Sequence, residues 1–275
     1  MTGPAPQERE QRLVFGEVAE TYDKQRSSYP SHVIDGILAF AGLERDTTTP
    51  VAEVGAGTGK ASVLFAARGI ALECLEPSPE MAAVARRHLA QYENAEVLDT
   101  SFEQWRPAEH TYGLVFAAQA WHWVSPEGRY AKLYSALRAH GSFAAVWNTM
   151  LGHGNKRLEK ALAKAYGDLL VGRQRLTDSE RAGVNDWVMR EIEESGLFEP
   201  GFPTVLREPW HRSFDTEGWL ELLSTQSDHR MLDEETRDRL FERIAAAIDA
   251  YGGAFEAEYV TVTYLARTLG RETNP

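Results

Sequence analysis

Short apolar runs alternate with longer amphipathic segments between residues 50 and 148. The apolar runs predict strands because they are short and end at turn-forming residues. They lie at 51–54, 70–76, 95–99, 112–118 and 142–148. The amphipathic segments between them predict helices. Apolar strands separated by helices are typical of a parallel, doubly wound α/β sheet.

Two of the predicted helices have recognisable ends. Ser78 is placed to cap one helix, Pro79 suits its first position, and Met81 lies on its apolar face. A second helix is predicted over 130–138. We expect Gly141 to end this helix just before the fifth strand, because glycine is common after helix ends.

The alternation of strands and helices stops after residue 148. Segment 155–198 is charged and has helical periodicity, with a capping-box pattern at 177–180, which predicts an inserted helical cap. Strand-like patterns return at 203–214 and 257–267, and we expect these strands to pair antiparallel at the sheet edge. The predicted fold is therefore α/β: a doubly wound, mostly parallel seven-stranded sheet with an antiparallel edge strand and a helical cap.

Composition and charge limit the possible functions. Hydrophobic residues make up 43% of the 275 residues and charged residues 25%, which excludes disorder of the whole chain. The formal net charge of -12 argues against nucleic acids and anionic membranes as partners.

Cysteine and histidine usage indicates no disulfide and no metal. Cys74 is the single cysteine, and the histidines lack the spacings of zinc sites. The N-terminus has no apolar signal segment, and no stretch approaches the about 20 apolar residues needed to span a bilayer. We therefore expect a cytoplasmic protein without membrane contact. No sequence feature indicates an oligomeric state.

The segment VAEVGAGTGK carries the clearest ligand signal. Glycines 55, 57 and 59 follow the first strand, where they permit a tight turn and close approach of a ligand to the backbone. The dinucleotide fingerprint would need a glycine at position 60, which is Lys60, and a P-loop would need four residues between its glycines. The alternative is an ordinary strand-to-helix turn.

Glu76 lies at the end of the next predicted strand, beside the glycine loop of the same βαβ unit. A carboxylate at that position can accept hydrogen bonds from two ribose hydroxyls. The alternative is a solvated charge at a strand end. Together, the loop and the carboxylate favour an adenosine-binding site.

These residues resemble the class I S-adenosylmethionine-dependent methyltransferases. Glu53-x-Gly55-x-Gly57-x-Gly59 is similar to their first motif and Glu76 to their ribose-binding acid. Residues 15–30 resemble the N-terminal segment of the small-molecule branch that includes the ubiquinone-biosynthesis and trans-aconitate methyltransferases. Residues 99–105 resemble the adenine-side loop, and 117–148 the fourth-strand motif with the helix and strand after it.

The resemblance implies S-adenosyl-L-methionine as cofactor, S-adenosyl-L-homocysteine as product and a small organic molecule as acceptor. It places Glu76 on the ribose and Arg26 on the methionine carboxylate, while Glu53 orients backbone or the cofactor amino group. The other implied cofactor contacts are Tyr22, Gly55, Ala56, Gly57, Pro77, Met81, Ser101, Phe102 and Gln119. Core packing is the alternative role of Met81, and an exposed helix is the alternative setting of Tyr22 and Arg26.

On this basis the chain is expected to be one methyltransferase domain with four parts. An N-terminal helical segment over the cofactor site spans 1–45 and the cofactor-binding core spans 46–150. A helical cap spans 151–200, and 201–275 completes the sheet and the substrate chamber.

The run at 119–123 places two tryptophans and a histidine at the mouth of the predicted cleft. Trp121 and Trp123 are candidates to enclose an apolar substrate and to face a sulfonium cation. His122 is the candidate general base, with packing as its alternative role. His153, His211 and His229 are expected at the surface or in the cap. Aromatic residues of the C-terminal part are expected in the core, with an apolar substrate chamber as the alternative.

Methyl transfer from a sulfonium is an in-line displacement, so positioning supplies much of the rate, and a base is needed only for protic acceptors. The residues do not decide which atom is methylated. A nicotinamide-dependent oxidoreductase and a non-catalytic cofactor-binding protein are the alternative functions.

Overall fold

The computed structural model describes residues 19–167, 186–201 and 203–270, with the side chains of residues 21, 22, 186 and 227 outside this description. The predicted capping box at 177–180 and the side chain of Tyr22 therefore lie outside the described residues.

The sheet has the predicted seven strands, in the order β3-β2-β1-β4-β5-β7-β6. Neighbouring strands from β3 to β5 are parallel, whereas β7 runs antiparallel to both β5 and β6. The antiparallel pairing at the edge is thus confirmed, with β7 as the reversed strand and β6 as the outermost one. The strands are β1 (Val51–Val54), β2 (Leu72–Leu75), β3 (Ala95–Leu98), β4 (Tyr112–Ala118), β5 (Leu137–Gly152), β6 (Thr204–Asp215) and β7 (Ala254–Arg267).

Helices cover both faces of the sheet and its carboxyl end. Near the glycine loop, Ser78 caps its helix as predicted, since its Oγ accepts a hydrogen bond from the Met81 backbone N–H at 3.3 Å. The helices are α1 (Ala19–Gln25), α2 (Ser31–Ala41), α3 (Lys60–Ala66), α4 (Pro79–Leu89), α5 (Arg129–Ala136), α6 (Lys156–Tyr166), α7 (Asp186–Ser195), α8 (Thr216–Ser224), α9 (Ser227–Arg230) and α10 (Glu234–Asp249).

The fifth strand is longer than its apolar run predicts. Helix α5 ends at Ala136 and β5 begins at once, so Gly141 lies inside the strand and the predicted helix end there is wrong. Pairing with β7 from Ser142 to Gly152 extends the strand at its other end. A glycine is still needed at position 141, because a Cβ there would lie 2.8 Å from the Arg138 carbonyl oxygen.

Two hydrophobic cores lie against the sheet and a third lies beyond the carboxyl ends of its parallel strands. Phe65 stacks on Phe116 in one core, with ring centroids 4.1 Å apart. Trp121 packs against Phe143 in the second. The third core joins α6, α8 and α10 to the later part of β5, the end of β6 and the start of β7.

The two described helices of the predicted cap segment pack in different places. Leu158 and Leu162 of α6 belong to the third core, whereas Val188 and Ile192 of α7 pack against the sheet with Trp121. The boundaries of a cap at 151–200 therefore stay a prediction. Within the described ranges, no helix combines the length and the apolar composition that crossing a bilayer requires.

Candidate functional site

A cavity of about 1890 Å³ lies at the carboxyl ends of the parallel strands. This is the edge where ligands bind in open α/β sheets. Its glycine-loop half is bounded by the β1–α3 turn, the end of β2 and the loop after β3. Its cap half is bounded by the later part of β5 and by side chains of α6, α8 and α9.

The glycine loop adopts backbone conformations with positive φ, which are unfavourable for residues that carry a side chain. Gly55, Gly57 and Gly59 have φ angles of 68°, 59° and 85°. A Cβ at Gly55 would lie 2.6 Å from the Ala120 Cβ, so the turn packs tightly against the end of β4. A Cβ at Gly57 would meet nothing within 4 Å, because this backbone borders open cavity.

The Glu76 carboxylate holds the cavity-facing turns together. Its Oε2 accepts from the Gly57 backbone N–H at 2.8 Å and its Oε1 from the Ser78 N–H at 2.8 Å. Glu76 is 7% exposed and lines the cavity beside Ala56 and Pro77. A carboxylate has about four acceptor sites, so its two oxygens can take part in more than these two bonds.

Glu53 is buried at the bottom of the same half. Its carboxylate accepts from Ser62 Oγ at 2.5 Å. Burial raises the pKa of Glu53 to about 8, with the neighbouring Glu76 charge acting in the same direction. Glu53 is therefore largely protonated at neutral pH.

Most of the other expected contacts of this half line the cavity. Met81 and Phe102 are almost fully buried and Ser101 is half-buried, yet each borders the open space. Met81 serves core packing as well, against Ala19 and Val84. Thr58 also lines the cavity, and its buried Oγ1 has no hydrogen-bond partner among the described residues.

Helix α1 links the two halves of the cavity. Its Asp23 pairs with Lys60 at 3.5 Å and with His88 Nε2 at 3.3 Å, beside the glycine loop. On its other side, Lys24 pairs with Glu221 of α8 at 3.2 Å. Arg26, just after α1, lines the cavity.

The chain leaves β4 through a left-handed residue and a short 3₁₀ turn. Gln119 has a φ of 59° and its Nε2 donates to the Asn148 carbonyl at 2.9 Å. The buried Arg129 guanidinium donates to the carbonyls of Trp121 and Val124 at 3.3 and 3.1 Å and thereby holds the turn. Gln119 lines the cavity.

Trp121 is a correction to the expected substrate contacts. Its side chain is fully buried in the core and donates a hydrogen bond to the Tyr130 hydroxyl at 3.2 Å. Trp123, two residues later, is half-buried and does line the cavity. A 3₁₀ turn points successive side chains in different directions, which separates the two tryptophans.

His122 lines the cavity, but its hydrogen bonding does not favour the expected role of general base. Trp147 Nε1 donates to His122 Nδ1 at 3.3 Å, and an indole N–H can only donate. In the neutral ring the proton therefore lies on Nε2, which is left as a donor. The His122 side chain is exposed toward the cavity, and desolvation by the protein atoms around it lowers its pKa to about 4, which favours the neutral ring at pH 7.

The cap half is mainly apolar and aromatic. Two histidines expected at the surface or in the cap, His153 and His229, line it, and His229 is buried. His211 is exposed on β6, as expected. The apolar lining comes from β5, α6, α8 and β7: Met150, Leu162, Trp219, Leu222, Leu223 and Tyr259.

No local signal identified Tyr166 or His229 as cavity residues, whereas Trp219 is one of the C-terminal aromatic residues for which an apolar chamber is the alternative to the core. The three residues come together through the packing of α6, α8 and α9. Among the described residues, no group of three His, Cys, Asp or Glu side chains is arranged to hold a metal ion.

Comparison with known proteins agrees with this geometry. Residues 51–141, which carry the glycine loop and Glu76, match the family model of a methyltransferase domain. Over this part the chain is therefore similar to methyltransferase domains. An uncharacterized methyltransferase of Mycobacterium tuberculosis is 35% identical over 141 residues, which is 51% of this chain and 54% of that protein. The chain thus matches about half the length of this relative.

Solved structures share the fold at low sequence identity. A protein of Anaeromyxobacter dehalogenans described as a candidate type II methyltransferase is 18% identical, with a TM-score of 0.62 over 90% of this chain and 99% of the other. Phosphoethanolamine N-methyltransferase 2 of Haemonchus contortus is 15% identical, with a TM-score of 0.51 over 92% of this chain and 57% of the other.

Substituting the first two loop glycines should have unequal effects. Both Gly55→Ala and Gly57→Ala place a side chain at positive φ, which costs about 1–2 kcal/mol. Gly55→Ala adds the clash with Ala120, so we expect a total loss of about 2–4 kcal/mol in the free energy of unfolding. Urea unfolding measures both losses. Equal losses would show that the β4 end does not constrain the loop.

The raised pKa of Glu53 predicts a pH dependence of stability. Between about pH 5 and about pH 8 the folded protein holds a proton that the unfolded chain releases, so stability should fall as pH rises. Each pKa unit corresponds to about 1.4 kcal/mol. Glu53→Gln cannot titrate and should flatten this fall in urea unfolding, whereas Glu96→Gln, at an exposed site on β3, should not. Parallel curves for wild type and Glu53→Gln would contradict the assignment.

Proposed function

We propose that this chain is an S-adenosylmethionine-dependent methyltransferase that transfers a methyl group to a small organic acceptor. The observation that carries the proposal is the continuity of the cavity, from a carboxylate and glycine loop at one end to an apolar chamber at the other. A nucleoside-binding end and an acceptor chamber in one space are what the reaction requires.

The glycine-loop half fits the proposed cofactor. The backbone at Gly57 borders open space, the Thr58 hydroxyl is buried beside it, and the Glu76 carboxylate lines the cavity next to both. The phosphoethanolamine methyltransferase that shares the fold is described in complex with S-adenosyl-L-methionine. When bound, the cofactor would supply an electrophilic methyl group on a positively charged sulfur.

The residues of this half divide into three proposed roles. Glu76 accepts the ribose hydroxyls, and Arg26 pairs with the methionine carboxylate. Protonated Glu53 supports the loop without adding a second negative charge next to Glu76. The remaining proposed contacts are Tyr22, Gly55, Ala56, Gly57, Pro77, Met81, Ser101, Phe102 and Gln119.

We assign His122 the role of a hydrogen-bond donor to the acceptor, through Nε2–H. The Trp147 indole occupies the accepting nitrogen, and the low pKa keeps the ring neutral. A fixed neutral donor orients a carbonyl, hydroxyl or carboxylate oxygen. Trp123 borders the same space and supplies an aromatic wall.

The two alternative functions make different binding predictions. An oxidoreductase would bind a nicotinamide cofactor, which the glycine spacing disfavours because Lys60 stands where the fingerprint needs glycine. A non-catalytic cofactor-binding protein needs no acceptor chamber, whereas the cap half here offers an apolar one.

Calorimetric titration with S-adenosylhomocysteine, with NADH in parallel, tests the cofactor class. We expect S-adenosylhomocysteine alone to bind. Glu76→Gln should weaken this binding by about 1–3 kcal/mol, because an amide cannot accept at both of its ends. Glu96→Gln, with the same charge change at an exposed site, should bind as the wild type does. Binding of NADH alone would reject the proposed function, and unchanged affinity in Glu76→Gln would reject the ribose contact.

NMR of histidine-labelled protein tests the role of His122 without an acceptor. We expect a titration midpoint of about 4 and the Nε2–H tautomer. Trp147→Phe removes the donor to Nδ1 and should change the tautomer populations. The exposed His211 serves as an internal reference. A midpoint near the ordinary pKa of 6.5 would restore the role of general base.

A further inference from the structure

Three polar side chains form a continuous hydrogen-bonded chain at the wall of the cap half. The Tyr166 hydroxyl lies 2.9 Å from His229 Nε2, and His229 Nδ1 lies 2.7 Å from Asp228 Oδ1. Tyr166 ends α6, while the other two residues belong to α9. Tyr166 and His229 line the cavity.

The direction of the hydrogen bonds follows from the chemistry of the three groups. An ionised carboxylate only accepts, so His229 Nδ1 carries the proton in the bond to Asp228. In the neutral ring, Nε2 then accepts from the Tyr166 hydroxyl. His229 thus has the tautomer opposite to that of His122, with its basic nitrogen directed to a hydroxyl at the cavity wall.

Burial strengthens this arrangement. His229 is 3% exposed, and its ring packs near Phe241 of α10, with centroids 6.0 Å apart. In such surroundings the hydrogen bond between His229 and the Asp228 carboxylate is stronger than it would be in water. Glu159 and Lys160 of α6 line the same cavity, and Arg230 follows His229 in the chain.

We propose that Tyr166, His229 and Asp228 form a proton relay that takes the proton from the hydroxyl group of the acceptor. The acceptors that need such a relay are phenols, and the apolar chamber selects those with an apolar body. The inference rests on the proposed methyltransferase function. The walls formed by Trp219, Leu222 and Leu223 suit an apolar ring. A carboxylate acceptor would need no base, so it would not use the relay.

The reaction balances without a further reactant. The acceptor oxygen bonds to the methyl carbon as the carbon–sulfur bond breaks, and the electron pair of that bond stays on sulfur. The acceptor proton passes to Tyr166 Oη, while the Tyr166 proton passes to His229 Nε2. The resulting imidazolium pairs with Asp228 and later releases its proton to water. Tyr166 is the catalytic residue, and His229 and Asp228 are positioning residues.

The test uses 4-nitrophenol, whose phenolate absorbs visible light, and protein saturated with S-adenosylhomocysteine. We expect the bound probe to ionise at a pH about one unit lower than the free probe, because the relay accepts its proton. Tyr166→Phe and His229→Asn should abolish this shift. Tyr251→Phe, the same substitution at an exposed site after α10, should retain it.

Calorimetry of each variant with S-adenosylhomocysteine provides the control for folding. If His229→Asn loses this binding, the conservative Tyr166→Phe variant decides the result. An unchanged probe shift in Tyr166→Phe, or no probe binding to protein that binds S-adenosylhomocysteine, would overturn the relay and leave the proposed function intact. Failure of the wild type to bind S-adenosylhomocysteine would overturn the proposed function and the relay together.

Discussion

The cavity depends on the antiparallel insertion of β7 between β5 and β6. Because β7 pairs with both neighbours along most of its length, the three strands extend past the carboxyl ends of the shorter parallel strands. This extension carries Met150 and Tyr259 into the cavity wall and forms the base of the third core. Helices α6, α8 and α10 pack there, so the strand pairing creates the space opposite the glycine loop.

The glycine-loop half is organised by the protein's own hydrogen bonds. Glu76 binds the backbone of two turns, and the close contact of Gly55 with Ala120 sets the distance between the β1 and β4 ends. Helix α1 then connects this half to α8 through Asp23 and Lys24. A site held in shape in this way loses less entropy through ordering when a ligand binds.

Two histidines border one cavity but have opposite chemical character. At His122 an indole N–H occupies the ring nitrogen that would accept a proton, and desolvation by the surrounding protein lowers the pKa of the ring. At His229 a carboxylate holds the N–H side and leaves the basic nitrogen to the Tyr166 hydroxyl. The hydrogen-bond partner, and not the presence of an imidazole in the cavity, therefore decides which histidine can act as a base.

The sequence by itself determined the features that arise from interactions within a few residues. Strands β1 and β4, the Ser78 cap, the glycine loop and the position of Glu76 follow from apolar periodicity, capping and positive φ. Only the tertiary structure decided the burial of Trp121, the length of β5 and the meeting of Tyr166 with His229. These depend on partners far away in the chain, so local patterns carry no information about them.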